Sequence, residues 1–394
     1  MKICGIVAEY NPFHNGHLYQ IEEARKKTDA DVVIVAMSGN FLQRGEPAIL
    51  DKWQRASAAL RNGADIVVEI PAIYSVQPAD IFAKGAVLLL DQLGVDVLSF
   101  GSESGEGSDF IESANIYQAK EKEIDQLFKD HQEHQLTYAK NMSQLLKQYI
   151  PEIKLDLTQP NNILGFAYAK EIVKSNRAIA IETVRRKSSQ YHDEKIQETG
   201  TIASATAIRK WLFDSRKSKN TETLPFPEET NRSLQESKLV NWDDFFPYLK
   251  YRVMTTSLEE LSSIYLMEKG LEYRVKSVIK TADDMSSFLT GLKTKQLSWT
   301  RLQRLSFYML LNQKKKEIKA NIKQLGFVRL LGFNNIGQRY LSQIKRELTV
   351  PLITNISQKN NDLLDYDIMV GDVYKLADSH RIKSQDYRRK PIKI

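Results

Sequence analysis

Two histidines three residues apart, His14 and His17, flank a glycine in the run Asn11-Pro12-Phe13-His14-Asn15-Gly16-His17. An imidazole can donate to a phosphate oxygen, and Gly16 lets the backbone approach an anion where a side chain would obstruct it. A bond breaking between the α and β phosphates of a nucleotide builds charge on the bridging oxygen, and two positioned imidazole donors stabilise that charge. No covalent histidine intermediate is needed. Zinc takes three or four ligands, and neighbouring Cys or Asp ligands are missing, so no metal site made by protein side chains alone is expected. The single cysteine, Cys4, sits in an apolar run and reads as core, not nucleophile.

A second cluster is Ser204-Ala205-Thr206-Ala207-Ile208-Arg209. Alone it is an ordinary helix start capped by Ser204. Beside the first motif it adds hydroxyls and free amides for the outer phosphates, with Arg209 able to neutralise departing pyrophosphate.

The elements that must hold these residues can be read from the apolar pattern. Short, nearly continuous apolar runs at 2–8, 31–37, 65–70, 96–100 and 178–184 read as five strands buried on both faces. Helical patterns at 16–27, 52–61, 79–93, 162–174 and 205–213 alternate with them, and a longer helical insertion occupies 109–149. That alternation predicts a parallel sheet wrapped by helices. The first motif then lies between strand one and helix one, where an open parallel sheet gathers its ligands.

At 394 residues the chain predicts two domains. We expect an α/β unit over 1–213, a polar linker over 214–239 and a mainly helical, basic unit over 240–394, with one strand near 349–353. A hydrophobic content of 42% with 27% charged residues is an ordinary globular balance, and no apolar run is long enough to cross a bilayer. The first residues lack an apolar signal core, which predicts a cytoplasmic protein. A net charge of +7 suits an RNA partner as well as anionic metabolites. Lys52 and Lys84 fall on amphipathic helices and read as solvated. Trp299, Phe307 and Tyr308 recur at helical spacing and read as core.

Together the two clusters resemble the HxGH nucleotidyltransferase superfamily. More specifically, nearly the whole chain is similar to the bacterial tRNA(Met) cytidine acetate ligase family. The resemblance is carried by Glu9 to His17, by Met37-Ser38-Gly39-Asn40-Phe41-Leu42-Gln43-Arg44-Gly45-Glu46-Pro47-Ala48, by Phe100-Gly101-Ser102-Glu103, and by Gln159-Pro160-Asn161-Asn162-Ile163-Leu164-Gly165. Tyr191-His192-Asp193 and Leu292-Lys293-Thr294-Lys295 add weaker support.

The resemblance implies an α/β fold: a Rossmann-like nucleotidyltransferase domain with a five-stranded parallel sheet, plus a mainly α-helical C-terminal domain. It implies activation of acetate with ATP to acetyl-adenylate, then acetyl transfer to the wobble cytidine of elongator tRNA(Met), giving N(4)-acetylcytidine, with Mg2+ accompanying ATP. His14 and His17 take the catalytic role. ATP contacts are implied for Val7, Ala8, Glu9, Tyr10, Asn11, Pro12, Phe13, His14, Asn15, Gly16, His17, Gly101, Asn162, Ser204, Thr206 and Arg209. One of Arg185 and Arg186 joins them, and the sequence leaves open which. Contacts to tRNA fall to Arg44, Lys293, Lys295, Arg301 and Arg304. Two rivals are a coenzyme-precursor adenylyltransferase and a non-catalytic RNA-binding protein. The first usually carries Thr-Phe-Asp-Pro before the motif, where this chain has Glu9-Tyr10-Asn11-Pro12.

Overall fold

The structure is a computed structural model that describes residues 1–131, 136, 138–185, 205–213, 226–357 and 360–394. All five expected strands form: β1 (Ile3–Ala8), β2 (Val32–Ser38), β3 (Ile66–Ile70), β4 (Val97–Ser102) and β5 (Ala180–Arg185). They are mutually parallel in the order β3-β2-β1-β4-β5, with Ile6 in register with Val35 on one side and Ser99 on the other. Every residue of β2, Val-Val-Ile-Val-Ala-Met-Ser, is buried. Such a strand has no polar side because helices cover both faces.

One face receives α1 (Asn15–Thr28) and α2 (Lys52–Arg61), through Ile21, Ala24, Trp53 and Ala56 packed on Ile6, Val33 and Val35. The other face lies under the short α3 (Ala72–Ser75), α4 (Ala79–Gln92), α5 (Gly107–Ala119) and, beyond α6 (Glu121–His131) and α7 (Tyr138–Tyr149), α8 (Pro160–Lys174). The expected insertion is therefore the three helices α5 to α7. Cys4 is wholly buried, and burial pushes its thiol up to about 11, as a core residue requires.

The sheet is larger than five strands. After the helical part the chain returns, and β6 (Val328–Phe333) pairs antiparallel with β3, while β7 (Leu352–Ile353) and β8 (Ile392–Lys393) pair with β6. The strand expected near 349–353 is thus two residues long and extends the first sheet. α9 (Ala205–Phe213) is followed, inside the stretch expected as a linker, by α10 (Glu228–Glu236). α10 buries only Thr230, Ser233 and Leu234, too few apolar positions to show a period, yet Leu234 packs with Ile49, Leu50, Ile208 and Leu212. Residues 186–204 and 214–225 lie outside the described residues.

Between Trp242 and Asn321 the chain is helical around its own core of Phe246, Phe288, Leu302, Phe307 and Tyr308. Trp299 does not share that core and is 36% exposed. At about 100° per residue, nine positions place it opposite Tyr308. Phe41, from the loop after β2, inserts among Trp242, Phe245, Phe307 and Tyr374. Lys52 is not solvated. It is 1% exposed, and its Nζ donates to both Glu69 oxygens at 3.0 and 2.8 Å and to Asp386 Oδ1 at 2.8 Å. Its partners come from β3 and from the C-terminal tail, which helical periodicity around position 52 cannot reveal. Lys84 likewise donates to the Ile322 and Lys323 carbonyls.

Candidate active site

The chain runs outward from β1 through β2 to β3, then crosses back to place β4 on the other side of β1. The reversal opens a crevice at the carboxyl ends of β1 and β4, where an open α/β sheet binds its ligands. A cleft of about 1070 Å³ lies there. It is lined by Val7, Ala8 and Glu9 after β1, by Gly101 on β4, by Arg185 ending β5, and by His14, Gly16 and His17 opening α1. Thr206 and Arg209 of α9 also line it, as do Ser298, Thr300, Arg301 and Arg304 from the helical part and Arg44 from the loop after β2.

His14 is the N-cap of α1. Its Nδ1 accepts from the Gly16 amide at 3.0 Å, and the His14 amide donates in turn to His17 Nδ1 at 3.3 Å. Both Nδ1 atoms are therefore acceptors, so in each neutral ring the proton sits on Nε2. The rings stack with centroids 3.7 Å apart and planes 22° apart, and Tyr10 meets His17 edge-on at 4.8 Å. Reciprocal capping has aligned two imidazoles as a pair of Nε2 donors beside a helix N-terminus, an arrangement suited to a polyphosphate.

Several residues expected to touch the nucleotide are packed within or behind the loop. Tyr10, Asn11, Pro12 and Phe13 are buried, and neither they nor Asn15 line the cleft. Tyr10 adopts φ 50°, a left-handed conformation that a bulky residue keeps only when packing fixes it. Asn11 Oδ1 accepts from the Ile49 amide at 2.8 Å, and its carbonyl accepts from Arg209 at 3.0 Å. Asn162 is also wholly buried. Its Oδ1 accepts from Ser102 and its Nδ2 donates to Ser104 and to the Asp156 carbonyl, so it fixes the end of β4 while Asn161 lines the cleft. Lys293 and Lys295 are exposed and do not line it. Arg186 and Ser204 fall outside the described residues.

Two supporting roles escaped the sequence reading. Arg55 is buried in α2 and donates to the carbonyls of Glu9 at 2.7 Å, Ser38 at 3.0 Å, Leu50 at 3.0 Å and Gly39, tying the loops after β1 and β2 together. Burial lowers its pKa. Glu103 accepts from the Asn161 and Asn162 amides at the start of α8, joining two of the segments that carry the family resemblance. Neither shows a spacing signal, since the acceptors of Arg55 are scattered along the chain and the partners of Glu103 lie 58 and 59 positions away. Glu9 accepts from the Gln43 amide at 2.9 Å, and burial, reinforced by Glu46, raises its pKa. Among the described residues no three His, Cys, Asp or Glu side chains gather where they could hold a metal ion, and no helix is long and apolar enough to cross a membrane.

A family model described as HIGH Nucleotidyl Transferase matches residues 1–390. A Bacillus velezensis protein named tRNA(Met) cytidine acetate ligase is 41% identical, covering 100% of this chain and 97% of its own. One of the same name from Ligilactobacillus salivarius is 39% identical over 100% of both chains. Among solved structures, Thermotoga maritima TmcAL bound with alpha-thio ATP superposes with a TM-score of 0.90 at 28% identity over 100% of both chains, and its apo form with a TM-score of 0.92. The reversed sheet, the paired imidazoles and full-length likeness agree, and the chain belongs to the HIGH nucleotidyl transferase family and, within it, to the tRNA(Met) cytidine acetate ligases.

Proposed function

We propose that this protein forms acetyl-adenylate from acetate and ATP and transfers the acetyl group to the wobble cytidine of elongator tRNA(Met), in the cytoplasm. The observation that carries the chemistry is the pair of Nε2 donors at the crevice between β1 and β4. An acetate oxygen attacks the α-phosphate in line, and the bond to the bridging oxygen breaks. His14 and His17 meet the charge developing on the departing pyrophosphate, and Arg209 and Thr206 receive its outer oxygens. The cytidine N4 amine then attacks the acetyl carbonyl, AMP leaves and the nitrogen gives up a proton.

Val7, Ala8, Glu9, Gly16, Gly101 and Arg185 line the nucleotide's path in this reading. Tyr10, Asn11, Pro12, Phe13, Asn15 and Asn162 shape it from behind. Mg2+ accompanying ATP would supply charge neutralisation on the phosphates. The catalytic unit is built on residues 1–213, and the helices within 240–394 supply the basic face for tRNA, with Lys293 and Lys295 on its exposed surface and Arg301 and Arg304, beside Arg44 of the loop after β2, at the cleft.

Exchange of labelled pyrophosphate into ATP tests the first half-reaction. Exchange should depend on acetate. Dependence on a phosphorylated vitamin in place of acetate would assign the site to a coenzyme-precursor adenylyltransferase.

A further inference from the structure

Acyl transfer to the exocyclic amine of a base has a proton to dispose of. In the reaction proposed above, the cytidine nitrogen gives its lone pair to the acetyl carbon, and one of its two hydrogens must leave as a proton. AMP departs as a weakly basic phosphate and does not need it. A positioned general base accelerates such a step by about 10² to 10⁴. The first half-reaction, attack of an acetate oxygen on the α-phosphate, moves no proton and needs no such group.

The two histidines are not that base. Each Nδ1 accepts from a backbone amide, and each Nε2 already carries the proton. Tyr168 lines the cleft as well, but burial, with the charge of Glu9, pushes its hydroxyl well up, so it stays a neutral phenol. Among the described residues three carboxylates line the cleft: Glu9, Glu46 and Asp80. Glu46 pairs with Arg209 at 3.1 Å, and Asp80 pairs with Lys170 at 2.7 Å. Glu9 makes no ion pair among the described residues. Its Oε1 accepts from the Gln43 amide at 2.9 Å, and its Oε2 takes no hydrogen bond there and is not sealed off.

This carboxyl is held in place. The Glu9 carbonyl accepts from Arg55 at 2.7 Å, and the Gln43 side chain donates to the Gln77 carbonyl at 2.9 Å, so both partners of the Glu9 to Gln43 bond are anchored. Glu9 lies in the loop that carries the paired imidazoles, and Gln43 precedes Arg44 in the loop after β2. The carboxyl therefore sits where the nucleotide's side of the cleft meets the side proposed for RNA. Burial and then Glu46 raise its pKa, while Arg44, the Gln43 amide and Arg209 lower it. Arg55 from α2 and Tyr168 from α8 also sense its charge, and His14 and His17 line the same cleft from its own loop.

We infer that Glu9 is the general base of the acetyl-transfer step: its Oε2 takes the N4 proton of the cytidine as the bond from N4 to the acetyl carbon forms. The bond from that carbon to the AMP oxygen breaks, AMP keeps the electron pair, and Glu9 then releases the proton to solvent. This role rests on the function proposed above.

The test compares the full-length parent with Glu9→Gln and Glu9→Asp, using melting curves to establish that each is folded. Glutamine keeps an oxygen for the Gln43 amide and loses the basicity, whereas aspartate keeps the basicity one methylene short of its place. Acetate-dependent pyrophosphate exchange reads the first half-reaction. Single-turnover transfer to tRNA(Met) from acetyl-adenylate preformed on the enzyme with labelled acetate reads the second, across a range of pH. In Glu9→Gln, transfer should fall about 10²-fold or more and exchange by less than about tenfold. The parent's transfer rate should rise with pH as Glu9 ionises, a rise that Glu9→Asp keeps at a lower rate and Glu9→Gln loses. A folded Glu9→Gln that transfers as fast as the parent, or that loses exchange and transfer alike, would overturn the role of Glu9 and leave the proposed function standing. Parent protein that exchanges pyrophosphate yet never labels the RNA would overturn the proposed function and this role with it. Should Glu9→Gln fail to fold, the parent and Glu9→Asp decide, and transfer that stays flat with pH in both overturns the role.

Discussion

His14 and His17 each serve the fold and the chemistry through different nitrogens. Nδ1 is committed to the backbone at the start of α1, and Nε2 carries the proton that a phosphate would meet. These roles can be separated. His14→Asn keeps an acceptor for the Gly16 amide and removes the Nε2 donor. Its melting temperature should stay near that of the parent, since asparagine is a good N-cap, while acetate-dependent pyrophosphate exchange should fall about 10²- to 10³-fold. A folded variant with near-normal exchange would show that the His14 donor is dispensable. His14, Gly16 and His17 were legible because their spacing is local and they follow a readable strand. Arg55 was not, because the carbonyls it serves, at Glu9, Ser38, Gly39 and Leu50, converge only in three dimensions.

At the scale of elements, five strands could be read to within two residues because strands covered on both faces must be continuously apolar. β6 to β8 escaped that reading. β6 joins β3 across most of the chain, and the other two are only two residues long. Arg55 ties the loops after β1 and β2 to α2, and the Lys52 amide, donating to Asn40 Oδ1 at 2.8 Å, adds a second link from the loop after β2. Arg55→Met should leave four carbonyls without this donor and lower stability by about 3 kcal/mol or more. Because the released carbonyls sit behind the cleft, the KM for ATP should rise in protein that remains folded. Denaturant titration and exchange kinetics measure the two effects, and an unchanged KM in folded protein would confine Arg55 to a purely structural role.

Across the whole molecule, the C-terminal tail closes back on the first sheet. Asp386 pairs with Lys52, the Gln385 carbonyl accepts from Trp53 Nε1 at 2.7 Å, and Gln385 Oε1 accepts from Asn40 at 2.9 Å. Asp367 lies near this network, with its Oδ1 accepting from the Ala72 amide at 2.8 Å. Burial first, then Glu69 and Asp386, push its carboxyl up to about 7, against the pull of the Ala72 amide and Lys52. An unfolded aspartate titrates near about 4, so the folded protein binds this proton more tightly. Its stabilising contribution is complete below about 4 and is lost as pH rises through about 7. Asp367→Asn keeps the acceptor and removes the charge. Its melting temperature should exceed that of the parent at pH 8 and change less between pH 6 and 8. Parallel curves for the two proteins would mean that Asp367 is ionised throughout. The sequence could not show this tail closure, because its contacts join positions at opposite ends of the chain.

The central claim is that one cleft, fronted by two imidazoles, activates acetate and passes the acetyl group to one base of an RNA. Its most direct test is the mass of tRNA(Met) after incubation with the protein, ATP, magnesium and isotopically labelled acetate. The expected result is one labelled acetyl group on the wobble cytidine, absent without ATP and absent with His17→Ala. Label that His17→Ala still installs, or an RNA left unlabelled by an otherwise folded, ATP-binding protein, would contradict it.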